Sequence, residues 1–188
     1  YYKFVVESKI YGNKVKLKVT ERNFDDLVRS DRCYKNIKLS SISNCDQLLH
    51  KFSEIKYLEL ENGEFSTAKF RTIIEAFLSL EELILSDLKF EVLNLCNVEN
   101  LKNLSNLKSI KINAIHEELV HPLLVQCSNL KRLSIKNLSR KAPIDEILKL
   151  LSDKVQFELE EFEFSDYGYY NFCQQKLGLL SFLESSFK

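Results

Sequence analysis

The chain has 188 residues with 27 basic and 27 acidic side chains, and this zero net charge excludes the basic excess that general nucleic-acid or anionic-membrane binding requires. Hydrophobic residues make up 45%, enough for a continuous core, yet no uncharged apolar run approaches the roughly 20 residues of a membrane span. Five scattered cysteines (Cys33, Cys45, Cys96, Cys127, Cys173) lack C-x-x-C spacing, which fits reduced thiols in the cytosol or nucleus rather than a disulfide framework or a zinc cluster.

In chain order, NKVKLKV predicts a first strand with Val15 and Leu17 apolar, and NFDDLVRSD a helix with Phe24, Leu27 and Val28 behind an Asn23 cap. YKNIKL follows as a strand, then SNCDQLLHKF as a helix carrying Cys45, Leu48, Leu49 and Phe52. IKYLEL is the next strand. STAKFRTIIEAFLSL is a helix capped by Ser66 or Thr67, with Phe70, Ile73, Ile74, Phe77 and Leu78 on its apolar stripe. After the strand LEELIL, residues 91–106 show no clear pattern, broken by the Asn-rich turns NVEN and NLSN. LKSIKI, LKRLSI and LEEFEF are the remaining strands. Between and after them HPLLVQCSN, APIDEILKLLSDK and NFCQQKLGLLSFLESSF have helical spacing, with Pro122 and Pro143 in first turns.

The six hexapeptides share one pattern, apolar-x-x-apolar-x-apolar. Their equivalent residues Val15 (in the weaker first copy), Ile37, Leu58, Leu83, Ile110, Leu133 and Phe162 stand 21 to 29 residues apart. A short strand recurring at that period predicts a solenoid, in which no unit buries its apolar face alone and each coil covers its neighbour. The expected fold is one α/β domain, residues 1–188, of about seven repeats: a horseshoe with a parallel sheet on the concave side and helices on the convex side. The leucines of the pattern are core, not ligand contacts.

These features resemble leucine-rich repeats, most specifically in LLVQCSNLKRLSI (123–135), similar to the cysteine-containing repeat of F-box proteins. YYKFVVESKIYGNKVKL (1–17) resembles the end of an F-box passing into the first repeat. The resemblance implies the substrate-recognition part of an F-box subunit of a cullin-type ubiquitin ligase. The alternative is a ligase-independent scaffold or inhibitor-type binding protein. Two departures stand out. No L-P-x-E-[IL] opening is present, so a cullin adaptor is a partner only if an F-box lies upstream, and the chain reads as a fragment that begins inside one. The asparagine expected three places after the last strand residue is also missing, those places holding Thr20, Ile42, Gly63, Leu88, Ile115, Leu138 and Tyr167.

Alternation places the intervening residues on the concave face, where their charges run in bands and Lys38 is set to pair with Glu59. These side chains are read either as solvated cross-strand pairs or as a partner-recognition surface, whose candidate residues are Tyr57, Glu59, Glu61, Glu82, Ile84, Lys111, Arg132 and Lys136, with Tyr57 and Arg132 as anchors. SDYGYYNF (165–172) is either aromatic packing under a long loop of the last repeat or an exposed sticky loop. No residue constellation for catalysis is present, so the chain is not expected to be an enzyme. HEELVH spaces its histidines five apart, one too many for a shared helix face, so no metal is expected, nor any other cofactor. The expected ligand is a protein, with no nucleic acid and no membrane.

Overall fold

A computed structural model describes residues 9–11, 14–19, 36–40, 54–91, 94–95, 98–138, 144–153 and 159–165. Each hexapeptide folds as the alternation predicts. They form β3 (Asn36–Ser40), β4 (Tyr57–Glu61), β6 (Glu82–Ser86), β8 (Ser109–Asn113), β9 (Arg132–Lys136) and β10 (Glu161–Ser165). β1 (Lys9–Tyr11) and β2 (Lys14–Val19) precede them as an antiparallel pair, and two short strands, β5 (Glu64–Phe65) and β7 (Lys89–Phe90), pair separately in parallel. The main sheet has eight strands in the order β1-β2-β3-β4-β6-β8-β9-β10, and every pairing from β2 to β10 is parallel. The fold is therefore α/β, with neighbouring strands following one another in sequence.

The register puts Ile37, Leu58, Leu83, Ile110, Leu133 and Phe162 on one level, the set the spacing predicts. One residue departs. Leu17, not Val15, is opposite Ile37. Val15, Leu17 and Val19 occupy alternate positions, and a slip of two residues keeps the same side of the strand, so periodicity alone does not separate the two registers.

Among the described residues, three α-helices occupy the connections. α1 (Thr67–Ala76) starts at Ser66, whose Oγ accepts the Lys69 N–H at 3.2 Å, and it buries Phe70, Ile73 and Ile74. It ends before Leu78, which stands exposed in the following turn rather than on the apolar stripe. Asn103 closes the helix end by donating from Nδ2 to the carbonyls of Ile74 (3.1 Å) and Glu75 (2.9 Å). A 3₁₀ turn, Glu117–Leu119, runs into α2 (Val120–Gln126), and α3 (Ile144–Asp153) buries Ile147 and Leu151. Between β6 and β8 the unpatterned stretch gives a 3₁₀ segment, Lys102–Asn106, instead of a helix. Gln126 of α2 supports it, accepting the Leu101 N–H and donating to Val98 O at 2.7 Å. The helices predicted over 23–31, 43–52 and 171–187 lie outside the described residues.

Buried residues of all three helices and the inward strand residues form one apolar cluster. Leu58, Leu60, Leu83, Ile110 and Ile135 have no exposed surface, and full burial of each is worth roughly 2 kcal/mol. Leu88, Ile115 and Leu138, three of the residues at the expected asparagine position, are also buried in this core.

The turn residue stands one place earlier. Asn62, Asp87, Ala114 and Asn137 each follow a strand directly and adopt positive φ of 53°, 52°, 49° and 55°. Each donates its N–H to the last carbonyl of the next strand, at Ser86, Asn113, Lys136 and Ser165, over 2.9–3.1 Å. Asn and Asp tolerate the left-handed region, and alanine does so only at a cost of roughly 1 kcal/mol. Close packing governs Gly63 as well, because a Cβ there would collide with the Phe65 ring. Ala114→Gly relieves the strain at the one turn with an unsuited side chain, and it is expected to raise stability by about 0.5–1 kcal/mol in urea denaturation. Asn137→Ala is expected to lower it.

Candidate functional site

The face of the sheet opposite the core carries three polar rows fixed by the register. The first is Asn36, Tyr57, Glu82, Ser109, Arg132 and Glu161. The second is Lys38, Glu59, Ile84, Lys111, Ser134 and Glu163, and the third is Ser40, Glu61, Ser86, Asn113, Lys136 and Ser165. All eight candidate partner-binding residues lie in these rows. They fall into two kinds.

Toward β3, the side chains satisfy each other. Lys38 Nζ donates to Glu59 Oε1 at 2.7 Å and meets Glu61 Oε2 at 2.8 Å, and the Tyr57 hydroxyl donates to Glu59 Oε2 at 2.8 Å. Glu59 is only 8% exposed and is held by a cation and a phenol. Burial opposes the charge of Lys38, but its hydrogen bonds to Glu59 and Glu61 outweigh that and raise its pKa. Burial, and next the hydrogen bond to Glu59, push the Tyr57 phenol well above its ordinary value. The predicted Lys38–Glu59 pair is present. Toward β10, Glu163 takes Lys136 Nζ on Oε1 at 2.6 Å and the Ser134 hydroxyl on Oε2 at 2.9 Å. These two donors, Lys136 foremost, hold its carboxyl below the usual range.

Between these clusters stand Glu82, Ile84, Lys111 and Arg132, on the adjacent strands β6, β8 and β9. Among the described residues none of the three charged members makes an ion pair or a side-chain hydrogen bond. Ile84 lies half-exposed amid them.

A further row precedes the strands. The Lys56 carbonyl accepts the N–H groups of both Glu81 and Glu82 at 2.8 and 2.9 Å, and Glu81, Lys108 and Lys131 repeat this toward the next strand. Their side chains interlock: Glu81 receives Lys56 Nζ at 2.6 Å and Lys108 Nζ at 2.9 Å, and Lys131 reaches Glu160 at 2.6 Å. The two lysines, Lys56 foremost, hold the Glu81 carboxyl down to about 2. Sequence reading of alternate positions passed over this row. Its signal is visible, because the second position of every hexapeptide is Lys or Glu: Lys35, Lys56, Glu81, Lys108, Lys131 and Glu160.

Where the two rows meet, a cleft of about 250 Å³ is lined by Asn36, Lys56, Tyr57, Glu81, Glu82, Lys108 and Arg132. It gathers Tyr57, Glu82 and Arg132 from the candidate set. Glu59 and Glu61 are in the Lys38 cluster, Ile84 and Lys111 are one row away, and Lys136 is at the far end of β9. Of SDYGYYNF, residues 166–172 lie outside the described residues.

Among the described residues no three His, Cys, Asp or Glu side chains gather as metal ligands. His116 precedes the 3₁₀ turn while His121 is within α2, so HEELVH is not on one helix face. Cys127 is buried at the end of α2, and its Sγ donates to Leu123 O at 3.3 Å. No described helix is long and apolar enough to cross a membrane. No family model matches the chain, and no curated protein matches it.

Tyr57→Phe removes the hydroxyl that donates to the mostly buried Glu59 and is expected to lower stability by about 1 kcal/mol, measured by urea unfolding at pH 7. Glu81 titrates lower when folded than its ordinary 4.5, so its contribution is complete above that value and fades as pH falls toward about 2. With a side chain 35% exposed, solvent screening limits that contribution to under about 1 kcal/mol. Glu81→Gln is expected to shift the urea midpoint at pH 7 but scarcely at pH 2, and less in 1 M salt.

Proposed function

We propose that this chain is a protein–protein interaction module built as a leucine-rich repeat solenoid, with the polar sheet face as its concave binding surface. Support for the solenoid comes from successive parallel strands in one register, apolar connections packed on one side, and a left-handed turn residue repeated after four strands. The binding role is carried by one observation. Between the ion-paired clusters of Lys38 and Glu163, Glu82, Lys111 and Arg132 make no ion pair or side-chain hydrogen bond among the described residues and surround the partly buried Ile84.

Charged groups free of direct hydrogen-bonded pairing beside an apolar residue, in the middle of an ordered sheet, suit a protein surface of complementary charge. Glu82 and Arg132 fix the orientation, Lys111 sits between them one row on, and Ile84 supplies dry contact. Tyr57 borders this patch. No residue is assigned a catalytic role.

The biological setting we propose is substrate recognition for a cullin-type ubiquitin ligase, in the cytosol or nucleus. It rests on the cysteine-containing repeat at 123–135 and on the F-box-like cadence of 1–17, of which residues 1–8, 12 and 13 lie outside the described residues. The second reading is a scaffold without ligase contact. It needs only the polar face, whereas the ligase setting also needs an adaptor-binding motif.

Cross-linked affinity purification of the full-length protein, followed by mass spectrometry, tests both. The Ile84→Glu/Lys111→Glu variant is expected to recover its partner at less than a tenth of the wild-type level. Lys102→Glu, on the 3₁₀ segment away from this face, is expected to leave recovery unchanged. Equal recovery by Ile84→Glu/Lys111→Glu and wild type would remove the central patch from the proposal. A cullin adaptor among the recovered proteins selects the ligase setting; a partner without it selects the scaffold.

A further inference from the structure

One turn pairs a reactive side-chain amide with a main-chain nitrogen that nothing shields. Asn62-Gly63 is the only Asn-Gly dipeptide in the sequence. Asn62 is exposed, and its N–H is spent on Ser86 O at 3.1 Å. Gly63 offers its carbonyl to the Lys89 N–H at 2.9 Å, but among the described residues its own N–H enters no backbone hydrogen bond. Glycine also has no Cβ to stand in the way of an approach to that nitrogen.

The two other asparagines with positive φ, Asn100 and Asn137, are guarded. After Asn100, the Leu101 N–H is held by Gln126 Oε1. Asn137 has its Nδ2 engaged by Asn113 Oδ1 at 2.6 Å, and the residue after it is the buried Leu138. Asparagine is a thermolabile residue, and its lability depends on how freely the next nitrogen reaches the side-chain carbon.

We infer that Asn62-Gly63 is a site of spontaneous deamidation and isomerisation. The deprotonated Gly63 nitrogen bonds to Asn62 Cγ, the Cγ–Nδ2 bond breaks, and the side-chain amide leaves as ammonia. One water then opens the five-membered succinimide. Cleavage between Cγ and the ring nitrogen restores the main chain with an aspartate. Cleavage at the main-chain carbonyl gives isoaspartate, whose chain runs through Cγ. Water and base are the only reagents, and no electrons are transferred.

The fold separates the two products. Aspartate suits the turn, since Asp87 holds the corresponding place after β6 with φ of 52° and donates its N–H to Asn113 O at 3.0 Å. Isoaspartate puts one more carbon into the main chain directly ahead of β5. Gly63 O and Phe65 O accept the N–H groups of Lys89 and Glu91, Phe65 is buried, and its ring lies against Gly63 too closely for even a Cβ. The lengthened chain therefore breaks the β5–β7 pairing and draws Phe65 from the core.

Incubating the full chain at neutral pH and 37 °C, with peptide mapping by mass spectrometry and isoaspartyl methyltransferase labelling, tests this. Label is expected at 62–63 at least tenfold faster than at Asn100 or Asn137, and faster as pH rises. In the aged fraction, amide exchange at Lys89 and Glu91 is expected to quicken at least tenfold and the melting temperature to fall. Freshly prepared Asn62→Asp is expected to melt like wild type, because it has the charge without the added carbon. Asn62→Gly keeps the turn conformation and is expected to take no label there. Labelling at 62–63 no faster than at the other two asparagines overturns the inference. So does label that leaves Lys89 and Glu91 exchange unchanged, or an Asn62→Asp variant as destabilised as the aged protein.

Discussion

The whole arrangement depends on one even register. Each strand sets its two inward apolar residues against those of the strand beside it, so that Leu58 is opposite both Ile37 and Leu83, and Leu60 is opposite Leu39 and Leu85. A five-residue strand buries too little surface by itself to offset the ordering of its backbone. Stacked in register, the same side chains lose nearly all contact with water. A slip of one residue at any pairing would bring charged residues inward and expel the leucines, which makes the register costly to change.

Because the outward residues ride on the same strands, the constraint that builds the core also assigns neighbours on the polar face. Lys38 meets Glu59 because Ile37 meets Leu58. Glu81 lies between Lys56 and Lys108 by the same logic at the strand entrances, where the backbone ladder repeats the contact in N–H and carbonyl groups. The αL residues finish the ladder at the other end. Asn137 Nδ2 also donates to Asn113 Oδ1 at 2.6 Å, and Asn129 Nδ2 donates to Ser105 O at 2.8 Å ahead of β9, so side chains reinforce both ends.

Much of this was legible in the residues, for identifiable reasons. A strand pattern of period two, returning at a nearly constant spacing, leaves little freedom in which leucines share a level. α1 was readable from Ser66 and from the spacing of Phe70, Ile73 and Ile74. Where the pattern carried equal weight for two answers it misled: Val15 and Leu17 have the same parity. The resemblance led to an asparagine being expected one place after the left-handed residues Asn62, Asp87, Ala114 and Asn137, which no strand periodicity marks. Leu78 fitted a helical stripe, but the helix had already been closed by Asn103 from a distant segment, a contact that no local pattern contains. The candidate site was legible as a face but not as a site. Sequence lists Glu59 and Glu82 as equivalent outward acids, and only side-chain geometry separates the buried, doubly held Glu59 from the unpaired Glu82.

That separation bears on what the face is for. The flanks carry closed clusters around Lys38 and Glu163, and the middle strands carry Glu82, Lys111 and Arg132 around a nearly buried serine hydroxyl. Closing the flanks holds long side chains in fixed positions, so the central groups stand in a rigid frame. Under the proposed binding role, a partner arriving there would meet charges whose surroundings are already ordered, which would lower the entropy lost on docking. The Ser109 hydroxyl beneath them is buried without a hydrogen-bond partner among the described residues.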